Sequence, residues 1–451
     1  MEPKNQIFQR KLLSERIFLG RPANYAIMVA RIQGDFSKAQ LRETLSKLRK
    51  KHPLLATRII FDESNIAWLH NEGVPEIPIV EIPRTKEDQW IDLMIQEHHH
   101  VFPIQQGPLI RIILVKGKDS VDLIINSYHA ISDGLSLAYL IRDILETLSH
   151  PNGIMMKELY PPQLRKENIP GKGNRDILTK ILIKLVNKFW TKRKTQFTQQ
   201  DYKTLTKTFW AKNTCQIIAW QLNPFQTSKL ITLCKEKGVT VNTALLTAFL
   251  LCKAHLQDNN REFTMKVHMP IDIRDRLKIP AGEAFGFYAQ TLHFKLNVSQ
   301  TTPFWKLARK FNQIIHSEIQ KEKNIFNLFK VAEIDPDLLD STYYQKYGLF
   351  ENKWSEKLVK GMGIDELIAN FSITNIGNLP FSTHYGDLTL EAIYGPSVFL
   401  DIIEQIVGVA TIGGKLNILL TFDEKFMSKD TSLALKRNFM ELLGGLCDWK
   451  N

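Results

Sequence analysis

Val121-Asp-Leu-Ile-Ile-Asn-Ser-Tyr-His-Ala-Ile-Ser-Asp-Gly-Leu-Ser-Leu-Ala-Tyr-Leu-Ile-Arg-Asp-Ile-Leu-Glu-Thr-Leu148 decides how the rest of the chain is read. Val121, Leu123, Ile124 and Ile125 make an apolar run of the kind that fills a buried strand. Leu137, Leu140, Ile141, Ile144 and Leu148 then recur at the three- and four-residue spacing of a helix. Between the two lies a turn holding His129, Asp133 and Gly134. A histidine at the end of a buried strand is held rigidly while its ring can face a cleft, and a glycine nearby lets a substrate approach the backbone. Each residue also has a plain structural use. His129 can simply pack, Ser132 or Asp133 can cap the helix, and Gly134 can serve the turn.

At 451 residues the chain exceeds one ordinary hydrophobic core, so two domains or lobes are expected. Its 44% hydrophobic and 24% charged residues fit a soluble globular protein. Cys215, Cys234, Cys252 and Cys447 are scattered without a C-x-x-C pair, which argues against a zinc site or disulfide framework and for a reducing compartment. The N-terminus lacks the apolar core of a signal peptide, and no run reaches the length of a membrane-spanning helix. The expected location is therefore cytoplasmic. Formal charge is +12, and ten basic against two acidic residues between Arg165 and Lys194 supply eight of those charges. The remainder is nearly balanced, so no nucleic-acid-binding surface is required.

Outward from the opening stretch, strand and helix signals are mixed. Phe36 to Lys51 reads as a helix capped by Asp35 or Ser37 and stopped by Pro53, followed by a strand at Leu55 to Phe61. An amphipathic helix near Lys86 to His99 and a strand at Leu109 to Val115 lead through a turn into Val121. His98-His99-His100 point three ways on a helix, cannot close one tetrahedral metal site, and read as a solvated helix end. Residues 161–212 form a crossover: a polar, Pro/Gly-containing stretch, then a basic amphipathic helix around Leu178, Ile181, Leu185, Phe189 and Trp190. Such a helix ordinarily packs with a solvated basic face. Its Trp- and Lys-rich end keeps open a peripheral membrane contact through residues 165–194.

Beyond the crossover the pattern restarts with a strand at Cys215 to Leu222, a helix opened by Asn223-Pro224, and a helix apolar on most faces from Val239 to Cys252. Strands are predicted at Thr264 to Met269, Tyr288 to Leu296, Ala369 to Thr374, Leu388 to Ile393, Gln405 to Ile412 and Leu416 to Phe422. Helices are predicted at Phe304 to Lys321 and Ser428 to Leu443. The expected architecture is α/β (α+β): lobes over residues 1–160 and 213–451, each a mixed sheet flanked by helices, facing a shared cleft.

Tyr128-His129-Ala-Ile-Ser-Asp133-Gly134 resembles the H-H-x-x-x-D-G signature of the condensation-domain and acyl-CoA-dependent acyltransferase superfamily, with Tyr128 in place of the first histidine. Leu48-Arg-Lys-Lys-His-Pro-Leu-Leu-Ala-Thr-Arg58 and Gly107-Pro-Leu-Ile-Arg111 are similar to segments that precede that signature. Gly238-Val-Thr-Val-Asn242, Met269-Pro-Ile-Asp-Ile-Arg274, Phe285-Gly-Phe-Tyr288 and Phe371-Ser-Ile-Thr-Asn-Ile-Gly377 continue the series in order. The resemblance spans essentially the whole chain. It implies a fold like chloramphenicol acetyltransferase with an active-site tunnel between the lobes, and no bound cofactor or metal. An acyl-CoA or carrier-protein phosphopantetheine thioester enters as co-substrate from one side, and an alcohol or amine acceptor enters from the other.

By the same resemblance His129 is the general base, and Asp133 forms a bidentate, architectural pair with Arg274 across the lobes. Gly134 leaves room for the pantetheine arm, and Tyr128 and Asn375 border the tunnel. The implied activity is that of a monomeric O-acyltransferase, similar to alcohol acetyltransferases and polyketide-associated acyltransferases. It is favoured because no adenylation or carrier domain follows. The alternatives are a free-standing amide-forming condensation protein and an inactive homologue that keeps the tunnel as a binding pocket, toward which Tyr128 points.

Overall fold

The computed structural model describes residues 8–151, 157–164, 168, 177–190, 195–256, 262–321 and 331–449. The first part runs β1 (Gln9–Lys11), β2 (Tyr25–Gln33), α1 (Lys38–Lys51), β3 (Arg58–Phe61), β4 (Ala67–His70), β5 (Ile79–Pro83), α2 (Gln89–His99), β6 (Ile110–Lys116), β7 (Ser120–Tyr128) and α3 (Gly134–Ser149). The crossover contributes α4 (Ile177–Trp190) and α5 (Gln199–Trp210). Then follow β8 (Cys215–Leu222), α6 (Pro224–Glu236), α7 (Val241–Leu256), β9 (Glu262–Asp272), β10 (Ala289–Ser299), α8 (Phe304–Gln320), α9 (Pro336–Lys346) and α10 (Lys353–Met362). The chain closes with β11 (Phe371–Asn378), β12 (His384–Tyr385), β13 (Leu388–Ser397), β14 (Gln405–Ile412), β15 (Lys415–Asp423) and α11 (Lys429–Cys447).

Local chemistry starts these helices where the sequence predicts. Ser37 and Gln40 exchange a reciprocal capping box at α1, and Asn223 with Gln226 does the same at α6, where Pro224 occupies the first turn. The strands then assemble into two mixed six-stranded sheets, ordered β12-β13-β2-β7-β6-β5 and β10-β9-β11-β14-β15-β8, beside a small sheet β1-β4-β3. β7 is buried along nearly its whole length because it lies between β2 and β6, both antiparallel to it. A strand covered on both faces reads as a continuous apolar run, as Leu123 to Ile125 does, while Asp122 is buried between Arg31 and Arg84. Two hydrophobic cores result: one joins the first six-stranded sheet, the small sheet and one set of side chains of the second sheet (Ile217, Ile406, Leu419), and the other gathers the remaining side chains of the second sheet (Ile218, Val407, Ile418) under α6, α7, α8 and α11.

The lobes are not the contiguous segments expected from sequence. β13, from within residues 213–451, pairs onto β2 of the first lobe, with Ile393 opposite Ala30, and β12 pairs onto the outer edge of β13. Without them the β2 edge would present unpaired backbone groups, and a strand's own sequence does not say which edge it closes. The far end of β13 then lies against β14, where Gly408 has no Cβ to strike the Pro396 carbonyl. The first lobe is thereby locked onto the second.

The crossover helix α4 is docked. Trp190 is fully buried, Phe189 stacks face to face on Trp354 with centroids 4.8 Å apart, and Asn187 bonds the Glu333 carbonyl and the Asp335 amide. Ile181 and Leu185 stay largely exposed on its outer side. Arg165, Lys166, Lys172, Arg175, Lys192, Arg193 and Lys194, which carry most of the basic segment, lie outside the described residues. Among the described residues no single helix is long and apolar enough to cross a membrane.

The three consecutive histidines do point three ways, but the solvated helix end predicted for them is corrected for His98 and His100, while His99 stays exposed. His98 is fully buried with Nε2 2.8 Å from Ser397 Oγ, His99 stacks on Trp210 at 3.7 Å, and His100 Nδ1 accepts from Arg111 Nη1 at 2.7 Å. The end of α2 is covered by the returning β13, a contact between residues 299 positions apart. No cluster of metal-ligating side chains occurs among the described residues.

Candidate active site

The turn after β7 is fixed from both sides. The His129 amide donates to the Asn24 carbonyl at 2.9 Å, and the Ile131 amide donates to the Tyr128 carbonyl at 3.0 Å. The His129 ring is held by Phe18, 4.8 Å away, and by the edge of Phe287 at 5.2 Å. Its Nδ1 lies 2.7 Å from the Ser132 carbonyl. A carbonyl only accepts, so Nδ1 carries the hydrogen and Nε2 of the neutral ring keeps its lone pair. Burial pushes the imidazole below its ordinary pKa, against the opposing pull of the Ser132 carbonyl and Asp133. The ring is thus neutral at physiological pH and able to accept a proton.

Asp133 does not touch this ring. It is the N-cap of α3: Oδ1 accepts from the Ser136 amide at 2.8 Å and Oδ2 from the Tyr288 amide at 2.8 Å. Arg274, in the turn after β9, donates through Nη2 to Asp133 Oδ1 at 2.8 Å and to Ser136 Oγ at 2.7 Å. Burial raises the Asp133 pKa, but the guanidinium and the amides more than offset it and hold the carboxylate below its usual range. The pair is not the bidentate one expected. Nη1 turns instead to Asp272 Oδ1 at 2.9 Å, so one arginine holds two carboxylates. Ser136, missed in the sequence, ties the same lobe junction by donating to the Gly286 carbonyl at 2.7 Å and accepting from the Gly286 amide at 3.0 Å.

Gly134 lines the cavity beside His129, yet its lack of a side chain has a nearer reason than room for a ligand. A Cβ there would lie 2.7 Å from Pro396 Cγ and 3.0 Å from Cδ, at the point where β13 crosses between lobes. Asn375 uses its Oδ1 to accept from the Gly377 amide at 2.8 Å, a turn-forming bond. Thr374 and Ser372 of the same strand are the residues that line the cavity.

Tyr128 departs from the tunnel position expected of it. It is buried with its hydroxyl donating to the Phe18 carbonyl at 2.7 Å, and it borders a separate, smaller cavity of about 220 Å³. The cavity that His129 lines does not include Tyr128, and the smaller one does not include His129. Tyr128 instead anchors the segment that presses Phe18 on His129. Because the Phe18 carbonyl also accepts from Asn24 Nδ2 at 2.5 Å, Tyr128→Phe is expected to cost only about 0.5–1.5 kcal/mol and to leave turnover nearly intact. A urea melt beside a thioester assay checks both, and turnover lost at wild-type stability would put Tyr128 in the chemistry.

His129 opens on an interlobe cavity of about 870 Å³ whose walls include Phe287 and Pro396 and, from the second lobe, His268, Ser372, Thr374 and Ile406. His268 is buried with Nδ1 2.9 Å from Ser372 Oγ, and burial drives its pKa well below the ordinary value. Burial, with a smaller contribution from His99, likewise pushes His98 down to about 3. The unfolded chain therefore binds protons near pH 6.5 that the folded chain refuses, and stability falls as pH drops from 7 to 5. His98 alone accounts for about 2 kcal/mol by pH 5. Urea midpoints at the two pH values test this; equal midpoints would mean that the imidazoles are not shielded.

Two lobes that share one β13, an interlobe cavity and a histidine at its wall define a protein of the chloramphenicol acetyltransferase-like fold. Residues 9–330 match the Condensation domain family, and the chain belongs to that family. Malpinin synthetase from Mortierella alpina is 22% identical over 390 residues, covering 80% of this chain and 5% of that protein. The chain thus spans about a twentieth of that relative. Among solved structures, trichothecene 15-O-acetyltransferase from Fusarium sporotrichioides superimposes with a TM-score of 0.66 at 12% identity, over 98% of this chain and 96% of that one. The epimerization domain from the third module of tyrocidine synthetase B gives 0.62 at 13% identity, over 99% and 98%. At such identities the likeness is one of fold, a fold that hosts acyl transfer and other reactions alike.

Proposed function

We propose that this chain transfers an acyl group from a thioester, on coenzyme A or on the phosphopantetheine of a carrier protein, to a hydroxyl acceptor, with His129 as general base. The observation that carries the reading is the 2.7 Å bond from Nδ1 to the Ser132 carbonyl, which leaves Nε2 as the proton acceptor at the cavity wall. The acceptor oxygen attacks the thioester carbonyl carbon while its proton passes to Nε2. The C–S bond then breaks, and the departing thiolate takes that proton back. A hydroxyl gains more from such a base than an amine does, since a neutral alcohol is a poor nucleophile and a neutral amine a good one. Asp133, Arg274 and Ser136 are positioning residues that hold the lobes in register.

The amide-forming alternative draws support from the similarity to malpinin synthetase, which also makes a carrier-bound donor as reasonable as coenzyme A. The deciding experiment offers an acyl-CoA panel, then acyl-pantetheine thioesters, with alcohols and with amines, and identifies products by mass spectrometry. Esters that depend on His129 are expected. Amides alone would overturn the ester reading. Thioester consumption at the uncatalysed rate with wild type and His129→Ala alike would leave the cavity as a binding pocket.

A further inference from the structure

Arg21 places a permanent positive charge in the wall of the cavity, and no carboxylate among the described residues stands within ion-pair distance of it. It follows the short 3-10 helix Ser14–Phe18, is 8% exposed, and its guanidinium lies over the Tyr343 ring, 5.2 Å from the centroid. The acidic groups of the elements packed around it are already engaged. Asp340 accepts from Arg16 at 2.6 Å, and Asp401 accepts from the Lys346 ammonium and from the Tyr347 hydroxyl at 2.7 Å. Burial holds the Tyr343 phenol above its ordinary pKa, so the ring under the guanidinium is neutral. Arg274, equally deep, shows the ordinary solution, a carboxylate on each side of the guanidinium.

Arginine cannot shed its charge by losing a proton, and a buried charge without a partner destabilises the fold. Its contacts with Tyr343, through the ring face and the phenol, supply no opposite charge. We infer that Arg21 receives a carboxylate carried by the molecule that occupies the cavity, and so selects an amphiphile with an acidic head and an apolar body. The guanidinium fork matches a carboxylate in geometry and charge. The surrounding wall, with Ile17, Ile364, Leu400 and Ile402, suits a hydrocarbon body. Arg21 is then a specificity-determining residue. The inference rests on the cavity being the substrate chamber of the proposed acyltransferase, though its test needs no turnover.

Isothermal titration calorimetry of the full chain at neutral pH, with decanoate and its neutral counterpart decanamide as probes, decides the matter. Wild type is expected to bind decanoate at least about tenfold tighter than decanamide, the strength of one charge-assisted bond. Arg21→Met is expected to erase that preference with decanamide binding unchanged, and Arg21→Lys to keep part of it. Equal wild-type affinities, or a decanoate preference that survives in Arg21→Met, would overturn the inference. If Arg21→Met does not fold, the wild-type comparison still decides. A preference that persists in His129→Ala while no ester forms with wild type would reject the acyltransferase reading and leave carboxylate binding standing.

Discussion

His129→Ala is expected to lower acyl transfer by about a hundred- to ten-thousand-fold, the range a positioned general base supplies, with little change in the melting temperature. The stability half follows from the packing. The imidazole faces a cavity, and its polar bond is to Ser132, three residues away on the same turn. Its removal therefore orphans no distant group, and what the variant gives up is ring packing against Phe18 and Phe287, worth about 1 kcal/mol. Single-turnover consumption of an acyl thioester, measured beside a thermal melt, separates the two effects. A wild-type rate in a folded variant would move the base elsewhere in the cavity, and a collapsed melt would make His129 structural.

Asp133→Ala is expected to do the opposite, costing about 3–5 kcal/mol of stability, with activity falling as the lobes lose their register. The substitution leaves the Ser136 and Tyr288 amides without their acceptor and strips Arg274 of its buried carboxylate; its remaining carboxylate, Asp272, is 43% exposed. Arg274→Ala should cost a similar amount, and the double variant much less than the sum, because each single change removes the same ion pair. Chemical denaturation of the three variants measures this. Wild-type stability in Asp133→Ala with turnover lost to the level of His129→Ala would instead assign Asp133 to the chemistry.

Much of the fold was legible because its signals are local. Cys215–Leu222 and Gln405–Ile412 are strands at the predicted bounds, and the Asn223-Pro224 cap opens its helix where expected. α5 escaped notice although Thr198 and Asp201 form a capping box, a readable signal ahead of a mostly polar helix. α9 and α10 also went unread. They pack chiefly against each other; α10 carries a readable apolar stripe in Trp354, Leu358 and Met362, whereas in α9 Leu338, Leu339, Tyr343 and Tyr344 are interleaved with buried polar residues.

The sequence by itself determined a strand, a turn and a helix carrying His129, Asp133 and Gly134, together with the string of further motifs that resembles one superfamily. Both follow from residue order and short-range periodicity. Only the tertiary structure decided what each residue meets. It closed the first sheet with β13, set Pro396 against Gly134, gave Arg274 a second carboxylate in Asp272, and turned Tyr128 away from the cavity. It also brought Arg21 to a wall where no described carboxylate balances it. Asp272 apart, which lies two residues from Arg274, these pairings join positions tens to hundreds of residues apart, and burial, packing and charge compensation act between neighbours in space, whatever their separation along the chain.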